Sequence, residues 1–255
     1  MSGGGCRALV FGRYPAPGRV KTRLASGVGA DAACLFYGAC LAHALTQASA
    51  WASAARDAPC SLALCYSDSG DREALRCWLS ARSLDDMELV AQAQHTTDLG
   101  CRMHAALAHG LAQPGVDRAL ILGSDVPDLT AAIVQDAAHA LASFDVVFGP
   151  SSDGGYYLVG CRSSCAGGPL GSLFSGIEWS TPSVLAVSLS LSRDAGLRVA
   201  PLDTLPTLTD IDREEDLRAW LQSASHRGAG SEAATADLLS AAHAALEAGR
   251  TSNAA

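Results

Sequence analysis

Leu120-Ile121-Leu122-Gly123-Ser124-Asp125-Val126-Pro127-Asp128-Leu129 is a short apolar run that ends on a glycine, a hydroxyl and a carboxylate. Bounded by turn residues at its end, such a run reads as a strand of a parallel sheet buried on both faces. In an open α/β sheet, ligands bind beyond the carboxyl ends of the strands, so Asp125 is expected at the rim of a cleft. There a carboxylate can hold a divalent cation and the phosphates that come with it. The plainer alternative is that Ser124 or Asp125 caps the helix expected after Pro127. Asp128 reads as a complement to the dipole of that helix.

Two other stretches give Asp125 a context. Ala8-Leu9-Val10-Phe11 reads as a buried strand that runs into Gly12-Arg13-Tyr14-Pro15-Ala16-Pro17-Gly18-Arg19-Val20-Lys21-Thr22-Arg23, a loop with four cations and no acid. Its prolines and Gly18 stiffen and bend it, so that backbone donors and Arg13, Arg19, Lys21 and Arg23 can converge on an anion. It is not a P-loop, because the residues around Gly12, Gly18 and Lys21 break that spacing. Taken alone it is equally a solvated basic turn. Far along the chain, Thr209-Asp210-Ile211-Asp212-Arg213-Glu214-Glu215-Asp216-Leu217 sets two carboxylates before a helix, where helix-start chemistry is the competing reading. Asp153-Gly154-Gly155-Tyr156-Tyr157 offers another carboxylate, on a turn whose glycines let backbone approach a ligand and whose aromatics suit a sugar. A tight hairpin favours the same residues. His95, His104, His109 and His139 share no spacing and read as surface or packing residues.

Between these stretches strand and helix patterns alternate. Strands are expected near 61–66, 87–92, 119–122 and 144–150, with helices near 31–55, around Leu75 to Leu79, from Met103 to Leu111 and over 131–142. Tyr156 to Cys161 follows its predecessor too closely for a helical crossover and is expected to run antiparallel. Thr181-Pro182 resembles a helix start, and 198–202 reads as a late strand. The expectation is one α/β domain over 7–222 with a mixed, mainly parallel sheet, followed by an Ala/Ser/Gly-rich appendage over 223–255 carrying one peripheral helix.

Composition narrows the function. A net charge of -8 is at odds with a nucleic-acid surface. Nine cysteines, an odd number in a 255-residue chain, argue for reduced thiols; Cys161 and Cys165 lack the second pair that a zinc site needs. No stretch stays apolar long enough to span a bilayer. The expected location is the cytosol, with an organelle reached by way of a removed transit peptide left open.

In this order the motifs resemble a GT-A-like transferase family, formerly a domain of unknown function and linked to arsenosugar biosynthesis and radical-SAM gene clusters. The resemblance runs from Leu9 to about Leu221. It is carried by Pro15-x-Pro17-Gly18-x-Val20-Lys21-Thr22-Arg23-Leu24, Asp98-Leu99-Gly100-x-Arg102-Met103, Gly123-Ser124-Asp125-x-Pro127-Asp128-Leu129, Gly149-Pro150-x-x-Asp153-Gly154-Gly155-Tyr156-Tyr157-Leu158, Trp179-Ser180-Thr181 and Asp210-Ile211-Asp212-x-x-x-Asp216-Leu217. It implies a Rossmann-like GT-A fold, the three-layer sandwich of the nucleotide-diphospho-sugar transferases. It also implies phosphates near Lys21 and Arg23, and a magnesium or manganese ion on Asp125 and Asp212, with Asp210 as a further candidate.

The expected site thus has Arg13, Gly18, Lys21, Arg23 and Arg102 on the nucleotide, Asp125 and Asp153 as catalytic acids, and Asp153, Gly154, Gly155 and Tyr156 toward sugar or acceptor. Glycosyltransferases of this fold usually carry Asp-x-Asp; here Pro127 stands two residues after Asp125, as in the nucleotidyltransferase version. The leading expectation is transfer of a sugar from a nucleotide sugar to a small-molecule acceptor. Nucleotidyl transfer from a nucleoside triphosphate to a sugar phosphate, with release of pyrophosphate, is the alternative, and a nucleotide-binding regulator without turnover the third reading.

Overall fold

Strand β1 (Gly5–Gly12) lies near the centre of a six-stranded sheet and is almost wholly buried. A computed structural model describes residues 4–55, 59–67, 71–92, 98–226 and 233–252 of the chain. After β1 come α1 (Thr22–Val28), α2 (Ala30–Ala54), β2 (Cys60–Tyr66), α3 (Arg72–Ser80), β3 (Glu88–Ala91), α4 (Leu99–Leu111) and β4 (Val116–Leu122). Then follow α5 (Ala131–Ala140), β5 (Val146–Pro150), β6 (Tyr156–Arg162), α6 (Gly168–Ser172), α7 (Val184–Asp194), α8 (Glu214–His226) and α9 (Ala233–Ser252). The sheet order is β3-β2-β1-β4-β6-β5. β3, β2, β1 and β4 are mutually parallel, and β6 alone runs antiparallel, between β4 and β5. This is the mixed, mainly parallel α/β sheet that the alternating pattern implies.

The period of two along each strand sorts side chains to two faces. Ala8 and Val10 join Leu64, Leu120 and Leu122 in a core under α2, α3 and α5, whereas Leu9 joins Ala63, Cys65 and Ile121 in a second core under α4 and α6. A third core lies outside the sheet, where Leu24, Phe36, Cys40, Trp220, Leu238 and Leu246 from α1, α2, α8 and α9 meet Ile211 from the segment before α8. Helix α2 is therefore covered on two sides, by the sheet and by α9, and this explains its apolar residues all round the axis. The helix expected to be peripheral, α9, packs so closely on α1 that a Cβ on Gly249 would lie 2.7 Å from the Gly27 carbonyl oxygen.

Two local expectations are corrected. Residues 198–202 do not form a strand: Val199 makes one isolated parallel bridge to Val146, and Pro201, which has no N–H, leads the chain into a 3-10 turn over Leu202–Thr204. The helix expected at Thr181-Pro182 begins two residues later, because the Thr181 hydroxyl donates to the Glu178 carbonyl and closes a turn of its own. All nine cysteines are unpaired thiols. His95 lies outside the described residues, and so does the Asp68-Ser69-Gly70 part of the turn after β2. Among the described residues, no helix is long and apolar enough to cross a membrane.

The turn between β5 and β6 shows what its glycines are for. Gly154 has φ +89°, and a Cβ there would collide with the backbone of Pro182, while its carbonyl accepts from Leu185 N–H at the start of α7. The requirement comes from chain packed on chain. Gly154→Ala is expected to cost about 2 kcal/mol or more, from a left-handed backbone combined with a steric clash, and thermal melts of the two proteins measure it.

Candidate active site

The order of the chain reverses between β1 and β4: β1 leads toward β2 and β3 on one side, and the chain returns to β4 on the other. A crevice opens at such a switch point. Here it is a cleft of about 530 Å³ lined by the loops after both strands and by residues of α4, β6 and the 209–212 segment.

The cationic loop is shaped before it reaches the cleft. Arg19 N–H closes a turn onto the Ala16 carbonyl, and Lys21, at the N-terminus of α1, adopts a left-handed backbone with φ 46° and ψ 48°. A lysine is rarely found there, at a cost of about 1–3 kcal/mol. The conformation sends its side chain, only 6% exposed, between two carboxylates: Nζ is 2.9 Å from Asp125 Oδ2 and 2.8 Å from Asp212 Oδ1. Arg23, 61% exposed, reaches Asp212 Oδ2 at 3.4 Å.

Backbone hydrogen bonds bring the acids together. Leu208 pairs with the end of β5, so the following residues are laid alongside the sheet, and Ile211 N–H donates to the Asp125 carbonyl at 3.2 Å. The residues flanking Ile211 thereby fall beside Asp125. Asp216 accepts from the N–H groups of Asp212 and Arg213, fixing the entry to α8 from within its first turn. On the other side, Trp220 Nε1 donates to Asp128 Oδ1 at 2.9 Å, tying α8 to the loop that carries Asp125. The outcome is that Asp125, Asp210 and Asp212 offer carboxylate oxygens that lie within 4.8 Å of one another. Capping of the next helix falls to Thr130, whose hydroxyl accepts from Ile133 N–H, so neither Ser124 nor Asp125 has that duty.

Neighbouring acids feel opposite environments. Burial opposes the charge on Asp212, but Lys21, Arg23 and Arg213 outweigh it and hold the carboxyl below its usual range. Asp210 is pushed up by burial and by the like charges of Asp125 and Asp153, against a hydrogen bond from Ser151. For Lys21, burial opposes the ammonium, and the attraction of Asp125 and Asp212 more than compensates, so its pKa rises.

Of the residues singled out from sequence, Arg13, Lys21, Arg23, Arg102, Asp125, Tyr156 and Asp212 line the cleft, whereas Gly18, Asp153, Gly154, Gly155 and Asp210 do not. Asp210 nevertheless joins the carboxylate cluster. Asp153 sits exposed on the β5–β6 turn, with Oδ1 accepting from Gly155 N–H. Tyr156 lines the cleft with its hydroxyl buried away from solvent and its ring packed against Phe148, centroids 5.1 Å apart. Burial and the like charge of Arg13 push down the pKa of the Arg102 guanidinium, which reaches toward Gln92.

Sequence reading missed Tyr37. It stands on apolar α2, yet its hydroxyl accepts from Arg13 N–H and lies 3.3 Å from the Ser124 hydroxyl, linking the loops after β1 and β4. Nothing in the sequence sets Tyr37 apart from the other polar residues of α2, such as His43 and Gln47.

This arrangement is the sheet and cleft of the nucleotide-diphospho-sugar transferase fold. The chain belongs to a family described as an uncharacterized protein conserved in bacteria (DUF2064), matched over residues 38–181. It is similar to a protein of Desulfovibrio desulfuricans G20, provisionally called a nucleotide-diphospho-sugar transferase, with 30% identity, TM-score 0.78, and 97% of this chain and 99% of that one covered. In fold it also resembles two more distant proteins. One is 4-diphosphocytidyl-2C-methyl-D-erythritol synthase from Anaerococcus prevotii DSM 20548 (12% identity, TM-score 0.51, 86% and 99% covered). The other is the inositol-1-phosphate CTP transferase from T. maritima (14% identity, TM-score 0.50, 95% and 98% covered). No curated protein matches the chain.

A carboxyl whose folded pKa lies above its unfolded value costs stability once pH exceeds both. Asp210→Asn keeps the acceptor for Ser151 and removes that charge. Its melting temperature is expected to exceed wild type at pH 7, with the gain fading as pH falls through the raised Asp210 value toward the ordinary carboxyl range. Paired melts at pH 7 and at about pH 4, near the ordinary carboxyl pKa, read the difference.

Proposed function

We propose that the protein is a metal-dependent glycosyltransferase that moves a sugar from a nucleotide-diphosphate sugar to a small-molecule acceptor. One observation carries this reading: three carboxylates offer oxygens within 4.8 Å of one another at the switch point, and two of them, Asp125 and Asp212, line the cleft and touch Lys21 of the cationic loop. All of these donors are hard oxygens, which suits magnesium or manganese, and Asp125, Asp212 and Asp210 would hold the ion. When bound, the ion supplies neutralising charge to the diphosphate that departs.

The chain's own residues supply the rest. Lys21 and Arg23 would pair with diphosphate oxygens, where negative charge grows in the transition state. Arg13 and Arg102, which have no ion pair to a carboxylate among the described residues, extend the anion-binding surface along the cleft. Tyr156 contributes an apolar ring wall. Asp153 stands outside the cleft lining, on the exposed β5–β6 turn near Asp210; one of its oxygens holds the turn through Gly155, and the other would orient or deprotonate the hydroxyl of an acceptor that approaches from that side. The similarity to the Desulfovibrio protein supports a reaction of this class.

A second reading, nucleotidyl transfer, rests on Pro127, which stands where an Asp-x-Asp glycosyltransferase has its second acid. The released product separates the two. Incubation with nucleotide sugars and Mn²⁺ is expected to release nucleoside diphosphate; pyrophosphate released from a nucleoside triphosphate instead would assign the second reaction. Asp125→Asn and Asp212→Asn are each expected to lower turnover by about two to three orders of magnitude, with circular dichroism unchanged.

A further inference from the structure

We infer that the ligand entering this cleft is the preformed complex of the divalent cation with the diphosphate, because Lys21 bonds to both Asp125 and Asp212 and yields them only when a diphosphate gives its ammonium a new partner. The inference rests on the transferase reading above and names the species that reading requires.

The geometry is specific. Lys21 Nζ touches an oxygen of each acid, at 2.9 and 2.8 Å, in a site where the candidate donor atoms of Asp125, Asp210 and Asp212 all lie within 4.8 Å of one another. A dication coordinated by Asp125 and Asp212 would stand close against an ammonium that keeps both contacts, and like charges at such range in a partly buried site repel strongly. One of them has to move. The Lys21 backbone is held, because its carbonyl accepts from Ala25 N–H at 2.8 Å as the first bond of α1. The flexible four-carbon stem is therefore the part that swings.

A side chain only 6% exposed cannot leave its carboxylates and stay unpaired without a large penalty. Arg23 is no substitute at the acids, being 61% exposed and 3.4 Å from Asp212 alone. A free cation thus meets an occupied pair of ligands, and a free diphosphate meets a lysine already satisfied. The complex brings a dication for the acids and oxyanions for the lysine in one step. Binding of cation and diphosphate is then positively linked through Lys21, and each must strengthen the other by the same factor.

Equilibrium dialysis of Mn²⁺ against the full chain, with and without inorganic pyrophosphate as a probe independent of the base, tests this. Wild type is expected to retain Mn²⁺ weakly alone, and tighter by about tenfold or more with pyrophosphate. In Lys21→Met, Mn²⁺ alone is expected to bind about tenfold tighter than to wild type, and the pyrophosphate enhancement to disappear. Equal retention by wild type with and without pyrophosphate overturns the inference, and this arm needs no variant should Lys21→Met fail to fold. So does a folded Lys21→Met that binds Mn²⁺ alone no better than wild type. Asp125→Asn separates the two claims: Mn²⁺ retention with pyrophosphate that survives this change removes the metal site, and with it the transferase reading.

Discussion

An ammonium shared by two carboxylates, Lys21 between Asp125 and Asp212, joins parts of the chain separated by 104 and 191 residues. Such a contact contributes little net stability, since desolvating three charges offsets most of their attraction. Its left-handed backbone is a further cost. The site is held instead by hydrogen bonds around it: the Ile211 bond to Asp125, the Asp216 cap, the Trp220 bond to Asp128, and Tyr37 tying the loops after β1 and β4. Charge at the site is thus supported from outside it, the arrangement expected where residues are placed for chemistry.

The third hydrophobic core carries much of that support. Leu24, one turn beyond Lys21, and Ile211, between the two acids, are both fully buried in it beside Trp220 and Leu238. Helix α9 closes this core over α1 and α2, with Gly249 against Gly27. A segment rich in alanine supplies little area of its own, but its small residues allow close approach to the helix that begins at Lys21. The carboxyl-terminal helix therefore packs on the elements that carry Lys21 and Asp212, although none of its described residues lines the cleft.

How much of this was legible in the sequence depended on range. The sheet was readable because both-face burial writes uninterrupted apolar runs such as Leu120 to Leu122, and the antiparallel β6 because a short link after Pro150 leaves no room for a crossover. Asp125 was readable from its place at a strand end. Asp212 was not readable alone, since an acid before a helix is ordinary capping chemistry; it took the motif order to connect it with Asp125. Tyr37 and the docking of α9 were hidden, because a residue on an apolar helix and an alanine-rich tail look the same whether or not they touch a site. The strand expected over 198–202 failed for a local reason: Arg198 is drawn to Asp145 through backbone and guanidinium, and Pro201 ends the pairing one bridge later.

The opposed environments of Asp210 and Asp212 follow from the same extended segment. Residues two apart on a regular strand would share a face, yet Asp212 meets Lys21 and Arg23 while Asp210 meets Ser151. Their carboxylates stay close together at the cluster, but their partners differ, with the backbone of Asp212 held by the Asp216 cap at the entry to α8. One acid is thus held ionised by cations, and the next is burdened by burial and by the charges of Asp125 and Asp153. Pairs of acids pushed apart in this way are found where a site must manage charge that arrives and departs. On the proposed reading, a cation at the cluster would offset the like charges that burden Asp210.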